Sequence, residues 1–560
     1  MVNWKSRKTG DILLLLNGLV LMVLVNLFSA DFFFRIDMTE EKRYSIKEQT
    51  KDVLSDLDET VYVEVYLEGD LNAGFRRFRK AIAETLEEFR IYSDNKVKFS
   101  FIDPSAAKGT KAQSEFMADL AAKGIQPKNV IENQNGQRIE KLIFPGAIVS
   151  YGTAERGVML LKGNKARTAE EEINQSIEGI EFELVNAIYN LTSLDRKRIG
   201  LVTGHGELTG ARAAAFHNTI AEVYDVTDVD LLSDDLSGID AIVIAKPTGP
   251  FTETEKYKLD QFIVKGGRAL MLIDRLEASM DSAAADGYFA FPYNLGLDDL
   301  LFKYGVRINN DLIQDQNSGV YPIVTGNQGS RPQVQLMPWP FFPLINRYAD
   351  HPVTRNLDAV VTRFVSSIDT VKAEGVVKTP LMFTSQYSRT LTAPVSVSLN
   401  EMRRNLDKSA FNESFVPVAY LLEGQFTSLF KNRFLPDSVD GKSFVEQGQP
   451  SKIIVVADGD MVRNEVNPRT GQAQALGYDP FTNYTFANED LLRNMLAYLT
   501  DENGLISTRN KEVKIRPLDR NKIADEKTKW QLINLLLPLI VLAAFGMARA
   551  VIRKRKYTRA

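Results

Sequence analysis

The chain has 560 residues, 44% hydrophobic and 25% charged, with 68 Lys and Arg against 72 Asp and Glu. That mix belongs to folded protein and excludes low-complexity disorder and collagen, and about 150 residues per domain suggests three or four domains. With no cysteine and three histidines, the chain lacks disulfides, Cys nucleophiles, thiolate metal sites and lipid attachment at Cys, and has little material for a His-rich metal site.

The net charge of −4 hides a segregation: residues 1–11 carry +2 and residues 549–560 carry +6, leaving −12 between them. Ile12–Ala30 is an uncharged run of 19 residues, as a helix about 28 Å long and close to bilayer thickness. A cleaved signal peptide is the alternative reading. Its apolar region would be too long, and Phe28 stands where a small residue is required. Trp530–Ala548 is a second 19-residue uncharged run, followed by the basic tail. Two transmembrane helices are therefore expected. Lys and Arg stay on the cytoplasmic side, so both termini are placed in the cytoplasm and the acidic body outside it. Trp4 and Trp530 flank the spans as interface anchors, with Arg549 and Arg553 on the cytoplasmic side. Asn17 and Asn26 lie within the first span on opposite faces. Each is a candidate contact with a partner helix, or a locally satisfied amide.

After a juxtamembrane segment (31–60), a first domain is expected over 61–194. Val61–Leu67 alternates as a strand. Phe75, Phe78, Ile82, Leu86 and Phe89 give a helix one apolar face. Lys96–Ile102 reads as a strand and Gln113–Lys123 as a short helix. Leu142–Tyr151 and Gly157–Leu161 read as strands that can pair. Thr168 and Glu171 match a capping box, opening a helix with stripe Ile173, Ile177, Ile180, Leu184, Ile188 and Leu191. The order β-α-β-α-β-β-α is thioredoxin-like, with redox chemistry excluded by the missing thiols.

A second domain is expected over 195–504. Arg198–Gly204, Val226–Leu231, Ala241–Ala245, Arg268–Asp274 and Lys452–Ala457 read as buried strands. Helices are expected near Ala211–Tyr224, from the Thr252/Glu255 capping box to Gly266-Gly267, and from Asn488 as cap to Leu499. Continuous apolar strands alternating with helices predict a parallel sheet covered on both faces. Residues of about 275–450 interrupt the alternation as an α+β elaboration. It contains a helix at Leu297–Tyr304, an extended Pro/aromatic segment Met337–Pro343, and strands at Val361–Val365 and Val418–Leu422. Residues 505–529 read as a charged linker into the second span, 530–548, and its basic tail, 549–560.

Candidate chemistry is sparse. Thr203-Gly-His-Gly-Glu-Leu208 sits at a strand end, the edge where ligands bind in open α/β sheets. His205 and Glu207 are candidate ligand residues there; the bland alternative is a tight turn with polar surface side chains. Asp458 and Asp460 can hold a hard cation, or simply serve a turn. Trp339, Phe341 and Phe342 are candidate partner contacts if exposed and core if buried. No Walker A loop, nucleophile elbow or Cys nucleophile is present. The acidic body disfavours nucleic acid. No catalytic, cofactor or metal site is expected, and the chain reads as a non-enzyme.

Three further stretches carry a resemblance. They are Asn294-Leu-Gly-Leu-Asp-Asp-Leu-Leu-Phe-Lys-Tyr-Gly-Val-Arg-Ile308, Tyr420-Leu-Leu-Glu-Gly-Gln-Phe-Thr-Ser-Leu-Phe-Lys-Asn-Arg433, and Tyr484–Leu499 with Gly504-Leu-Ile-Ser-Thr-Arg-Asn-Lys511. With Thr203–Glu207, they make nearly the whole chain resemble the gliding-motility-associated ABC-transporter auxiliary family (GldG) of Bacteroidota. The resemblance implies a subunit of an ABC transporter-like complex in the inner membrane, facing the periplasm. Its partners would be a polytopic membrane subunit, a separate cytoplasmic ABC ATPase, the lipid bilayer and other periplasmic motility or secretion components. It also implies that the second domain is flavodoxin- or amidotransferase-like, akin to the intraflagellar-transport-like (GIFT) domain, without the nucleophile. A tethered solute receptor with its ligand at the sheet edge is the competing expectation. A hydrolase or transferase using His205 and Glu207 is the third.

Overall fold

The computed structural model describes residues 7–31, 45–106, 110–134, 137–162, 168–193, 196–284, 288–328, 331–403, 407–437, 439, 441–510 and 520–557. Two compact units divide between Lys511 and Glu512. The fold is mixed α/β, with parallel and antiparallel sheets.

The first unit begins with helix Arg7–Asp31. Within 31–60 the chain forms a helix not expected from sequence, Glu48–Ser55, which buries Thr50 and Leu54. Strand Val61–Val65 pairs in parallel with Val97–Phe101 and antiparallel with Gly146–Tyr151, which pairs antiparallel with Ala154–Met159. Helix Ala73–Tyr92 turns Phe75, Phe78, Ile82, Leu86 and Phe89 inward, and Asn72 caps it through the amide of Phe75. Helix Ala169–Thr192 has both halves of the Thr168/Glu171 capping box. The two helices and the sheet share one core, because their apolar stripes can be buried only against each other. The expected strand Leu142–Tyr151 is broken. Gln137–Ile143 instead forms a hairpin with Lys128–Gln134, and the chain restarts at Gly146 after Pro145, whose missing N–H cannot serve a ladder.

The second sheet has eight strands. Asp225–Asp230, Arg198–Thr203, Ala241–Ala245, Arg268–Leu272 and Gln447–Val456 lie side by side in parallel. Every residue of Ala241–Ala245 is buried, as a strand covered on both faces requires. Helix Glu253–Val264 packs on this sheet from the Thr252/Glu255 capping box, and helix Asn488–Thr500 packs on it with helix Ala214–Ala221. The sheet is mixed rather than wholly parallel. Pro417–Thr427, Val376–Phe383 and Arg347–Tyr348, all from the 275–450 elaboration, extend it antiparallel from Gln447–Val456. Much of the elaboration therefore belongs to the same sheet. The rest builds a satellite core around the long hairpin Ser318–Gln328/Arg331–Ile345. The expected strand Val361–Val365 shrinks to Val360–Val361.

Two further expectations change. Asn488 is the first residue of its helix rather than the cap. Its side chain instead joins the N–H and carbonyl of Val361 to the carbonyl of Met461. Residues 505–510 of the expected charged linker form a 3-10 helix that buries Leu505, Ile506, Thr508 and Arg509. Only Leu505 and Ile506 are apolar there, too few to show a pattern beside the charges that follow.

The second unit contains helix Arg520–Tyr557, so residues 520–529 continue the span as helix and are not linker. Its segment Asp525–Ile552 is long and apolar enough to cross a membrane; the apolar stretch Leu13–Val25 of the N-terminal helix is shorter.

Candidate functional site

Four neighbouring parallel strands end at one edge of the large sheet, and each is followed by a charged or imidazole side chain: His205, Lys246, Asp274 and Asp458. His205 sits in a turn with Gly204 and Gly206 at φ +113° and +72°. A Cβ on Gly206 would lie 2.2 Å from Thr248 Oγ1, so the turn requires glycine twice over. The His205 ring is 4% exposed. Nδ1 lies 3.0 Å from Glu207 Oε1, and Nε2 lies 3.1 Å from Glu255 Oε1, without hydrogen-bond alignment. The ring stacks on Phe251 at 3.6 Å. Glu255 is also the carboxylate of the capping box and accepts from the Thr252 N–H and hydroxyl. Each ring nitrogen thus faces a carboxylate, and the ring is a buried strut between a strand end and a helix start.

The adjoining cluster is built on a cation. Lys246, in the left-handed region at φ +57°, places Nζ 2.8 Å from Asp274 Oδ2 and 2.6 Å from Asp460 Oδ1. Asp274 also accepts from the Gly459 N–H. Asp458 accepts from the N–H groups of Asp460 and Met461 at 2.8 and 3.1 Å and of Arg363 at 2.9 Å. Burial pushes the Asp274 carboxyl up to about 6, against the pull of Lys246. Burial, with Asp274 and Asp460 nearby, raises Asp458 well above the carboxylate range. Burial opposes ionisation of Asp460 too, but Lys246 and Arg463 hold it below that range. The cation expectation for Asp458 and Asp460 is thereby corrected: the Lys246 ammonium stands beside Asp460, and backbone amides take Asp458. Among the described residues, no group of three His, Asp or Glu is arranged to hold a metal ion.

Lys246, Asp274 and Arg363 escaped sequence reasoning, which placed Glu255 only in a capping box. A signal existed for two of them. Lys246 and Asp274 follow apolar runs directly, the positions that a parallel sheet brings together at its edge.

The aromatic expectation is also corrected. Trp339 and Phe341 are fully buried and Phe342 nearly so, packed around Phe364. They are core rather than a partner-facing surface, because the hairpin folds its Pro/aromatic strand back over the satellite core. Asn17 is exposed on its helix, as are Arg549 and Trp530, whose Nε1 donates to Glu526 at 2.8 Å. Trp4 and the side chains of Asn26 and Arg553 lie outside the described residues.

A second feature lies at the ends of the body. The segments at 45–55 and 504–510 meet on helix Ala169–Thr192. Lys47 Nζ donates to the Ser507 carbonyl at 2.8 Å, while the Lys47 N–H and the Thr50 hydroxyl both donate to Glu181, at 2.7 and 2.8 Å. Leu505 joins the core of the first sheet. Arg509 stacks over Phe182 and lies 3.9 Å from Glu183. Glu183 shares Lys162 with Asp490 of helix Asn488–Thr500, at 3.1 and 3.0 Å. One ion network thus ties the outgoing segment to both sheets.

A family described as ABC-type uncharacterized transport system matches residues 196–495, which include both strand-end clusters. The chain belongs to that family, whose members are auxiliary components of ABC-type transport systems. A domain of unknown function (DUF7088) matches residues 40–150. An uncharacterized protein of Borreliella burgdorferi is 23% identical over 570 residues, covering 98% of this chain and 99% of that protein. Among solved structures, the mmIFT52 N-terminal domain is 13% identical with a TM-score of 0.30, covering 54% of this chain and 97% of that one. A putative ThuA-like protein from Parabacteroides merdae is 12% identical with a TM-score of 0.25, covering 58% and 94%.

Proposed function

We propose that the protein is a non-enzymatic accessory subunit of an ABC-type complex, held in the cytoplasmic membrane by two spans. Both termini lie in the cytoplasm and the folded body lies in the periplasm. The carrying observation is the meeting of residues 45–55 with 504–510: the body begins and ends at one place, joined by Lys47 and Ser507. A body with adjacent stems suits two anchors in one membrane. The basic tails support the orientation. The buried, carboxylate-flanked His205 supports a structural rather than a catalytic sheet edge. The strand order of the first sheet supports a thioredoxin-like reading of 61–194, and the parallel strands of the second support an amidotransferase- or GIFT-like reading of 195–504. The partners are a polytopic membrane subunit and a cytoplasmic ATPase. The resemblance in sequence supports gliding motility, with associated secretion, as the process served.

The cysteine-free chain makes the topology test clean. Single cysteines at Ser233 and at Lys554 are probed with a membrane-impermeant maleimide in cells with a permeabilised outer membrane. Ser233→Cys labels before lysis and Lys554→Cys only after it. The reverse pattern, or recovery of the protein from mild detergent without a polytopic partner, refutes the assignment.

A further inference from the structure

Beside the Lys246 cluster the sheet edge carries a small crevice, with Arg363, Asp460, Arg463, Phe342, Phe481 and Phe486 in its lining. Its two guanidinium groups are finished differently. Arg363 donates to Glu465 at 2.6 Å and lies over the Phe342 ring. Arg463 has a side chain only 15% exposed, yet its ion pair is a 3.5 Å contact with Asp460. Asp460 is already engaged by Lys246 at 2.6 Å. The Arg463 Nε–H is buried without an acceptor.

Two other buried polar groups without partners belong to residues outside the lining. Trp339 Nε1 belongs to a ring centred 4.7 Å from that of Phe342, and Ser318 Oγ is next to Gly319 in the lining. Buried donors without acceptors are rare because each loses its water and gains nothing. The Arg463 Nε–H belongs to a lining residue, at the edge where ligands of parallel sheets bind, and points to a missing acceptor. A guanidinium fork matches a planar carboxylate. The rest of the wall is aromatic, and Phe481 is 42% exposed at the rim. Asp479, also in the lining, is turned to the Phe481 N–H and the Thr482 hydroxyl.

We propose that this crevice binds a carboxylate carried on an apolar, ring-sized body, with the carboxylate on Arg463 and the body against Phe342 and Phe481. Both a free small acid and the C-terminal aromatic residue of a polypeptide carry that chemistry. The site goes beyond the accessory-subunit reading and stands or falls without it, since binding is measured on the chain alone.

The test is calorimetry on the full chain in detergent with three probes: phenylacetate, phenylacetamide, and an acetylated tripeptide ending in phenylalanine with a free carboxylate. Phenylacetate is expected to bind saturably, with phenylacetamide at least about tenfold weaker. Arg463→Gln should weaken phenylacetate by at least about tenfold. Phe481→Ala, at the exposed rim, tests the apolar half in a variant that keeps the core intact. Tighter binding of the tripeptide than of phenylacetate assigns a polypeptide C-terminus, and weaker binding a small acid. The proposal is overturned by no saturation with phenylacetate up to about 10 mM, by equal binding of acid and amide, or by unchanged binding in both variants.

Discussion

On one strand end His205 has a carboxylate at each ring nitrogen and a phenyl ring on its face; on the next, Lys246 has two carboxylates while its neighbour Arg463 keeps an unused buried donor. Both clusters are buried, both are charged, and both stand where ligands bind in open α/β sheets. In the first, Nδ1 meets Glu207 while Nε2 faces Glu255 without hydrogen-bond alignment. The second is closed on the Lys246 side and open on the Arg463 side. A sheet-edge position and an unpartnered buried nitrogen are therefore common to both; what the second adds is a crevice lined by guanidinium groups and aromatic rings.

The largest expected effect comes from removing the cation of the second cluster. Lys246→Met leaves Asp274 and Asp460 buried without their shared ammonium, an uncompensated charge expected to cost about 3–5 kcal/mol. Its pH dependence has a defined sign. Burial puts Asp274 at about 6 in the fold, against an ordinary value of 3.8. Between those values the folded state binds more protons than the unfolded one. The group's contribution to stability is therefore fully present at low pH and lost as pH rises through about 6. Without Lys246 the carboxyl moves higher still, so the loss in Lys246→Met should be larger at pH 8 than at pH 5. Thermal melts across that range check it; a loss that does not change with pH would contradict the account.

His205→Ala should come next, at about 2–4 kcal/mol, from a cavity against Phe251 and two carboxylates left without the ring between them. The comparison sharpens here, because phenylacetate binding should be unchanged in this variant. Gly459→Ala tests the join between backbone and cation. A Cβ there would lie 2.7 Å from Lys246 Cβ and 2.9 Å from its Cα. The expected loss is about 1–3 kcal/mol, as for overpacking in a core. Wild-type stability would show that the Lys246 turn is freer than its left-handed backbone implies.

These sites were unequally legible in the sequence. Local rules found what depends on local chemistry: the strand Ala241–Ala245, the stripe from Phe75 to Phe89, and both capping boxes. They also found His205 and Glu207, which are two residues apart and bonded to each other. What they missed is joined through space. Glu255 reaches His205 from a helix start 50 residues on, and Lys246, Asp274 and Asp460 come from three separate strand ends. Trp339, Phe341 and Phe342 looked ready for a partner because sequence shows their apolarity but not the Phe364 packed against them. Residues 505–510 looked like linker because Leu505 and Ile506 find their partners on helix Ala169–Thr192, over 300 positions away.

The smallest expected effect separates a cap that serves only its helix from one that also serves the His205 cluster. Thr168 and Thr252 open two helices with the same capping box, each accepting from the amide of the third residue on. Thr168 is exposed, and its partner Glu171 is exposed too. Thr252 donates its hydroxyl to Glu255 at 2.7 Å, and the other oxygen of that buried carboxylate faces His205 Nε2. Replacing a capping Thr by Ala ordinarily costs about 1 kcal/mol. Thr168→Ala should fall at or below that value, because water can replace the lost hydroxyl. Thr252 is exposed as well, but its partner Glu255 is buried, so Thr252→Ala should exceed that value through the donor this carboxylate loses. In the background of His205→Ala the excess should shrink, since the two residues act on one carboxylate and neighbours on a shared partner are not additive. A double-mutant cycle by thermal melts reads the coupling directly. A coupling within error of zero would mean that the cap and the imidazole hold Glu255 independently, and that the first cluster is two adjacent contacts rather than one closed unit.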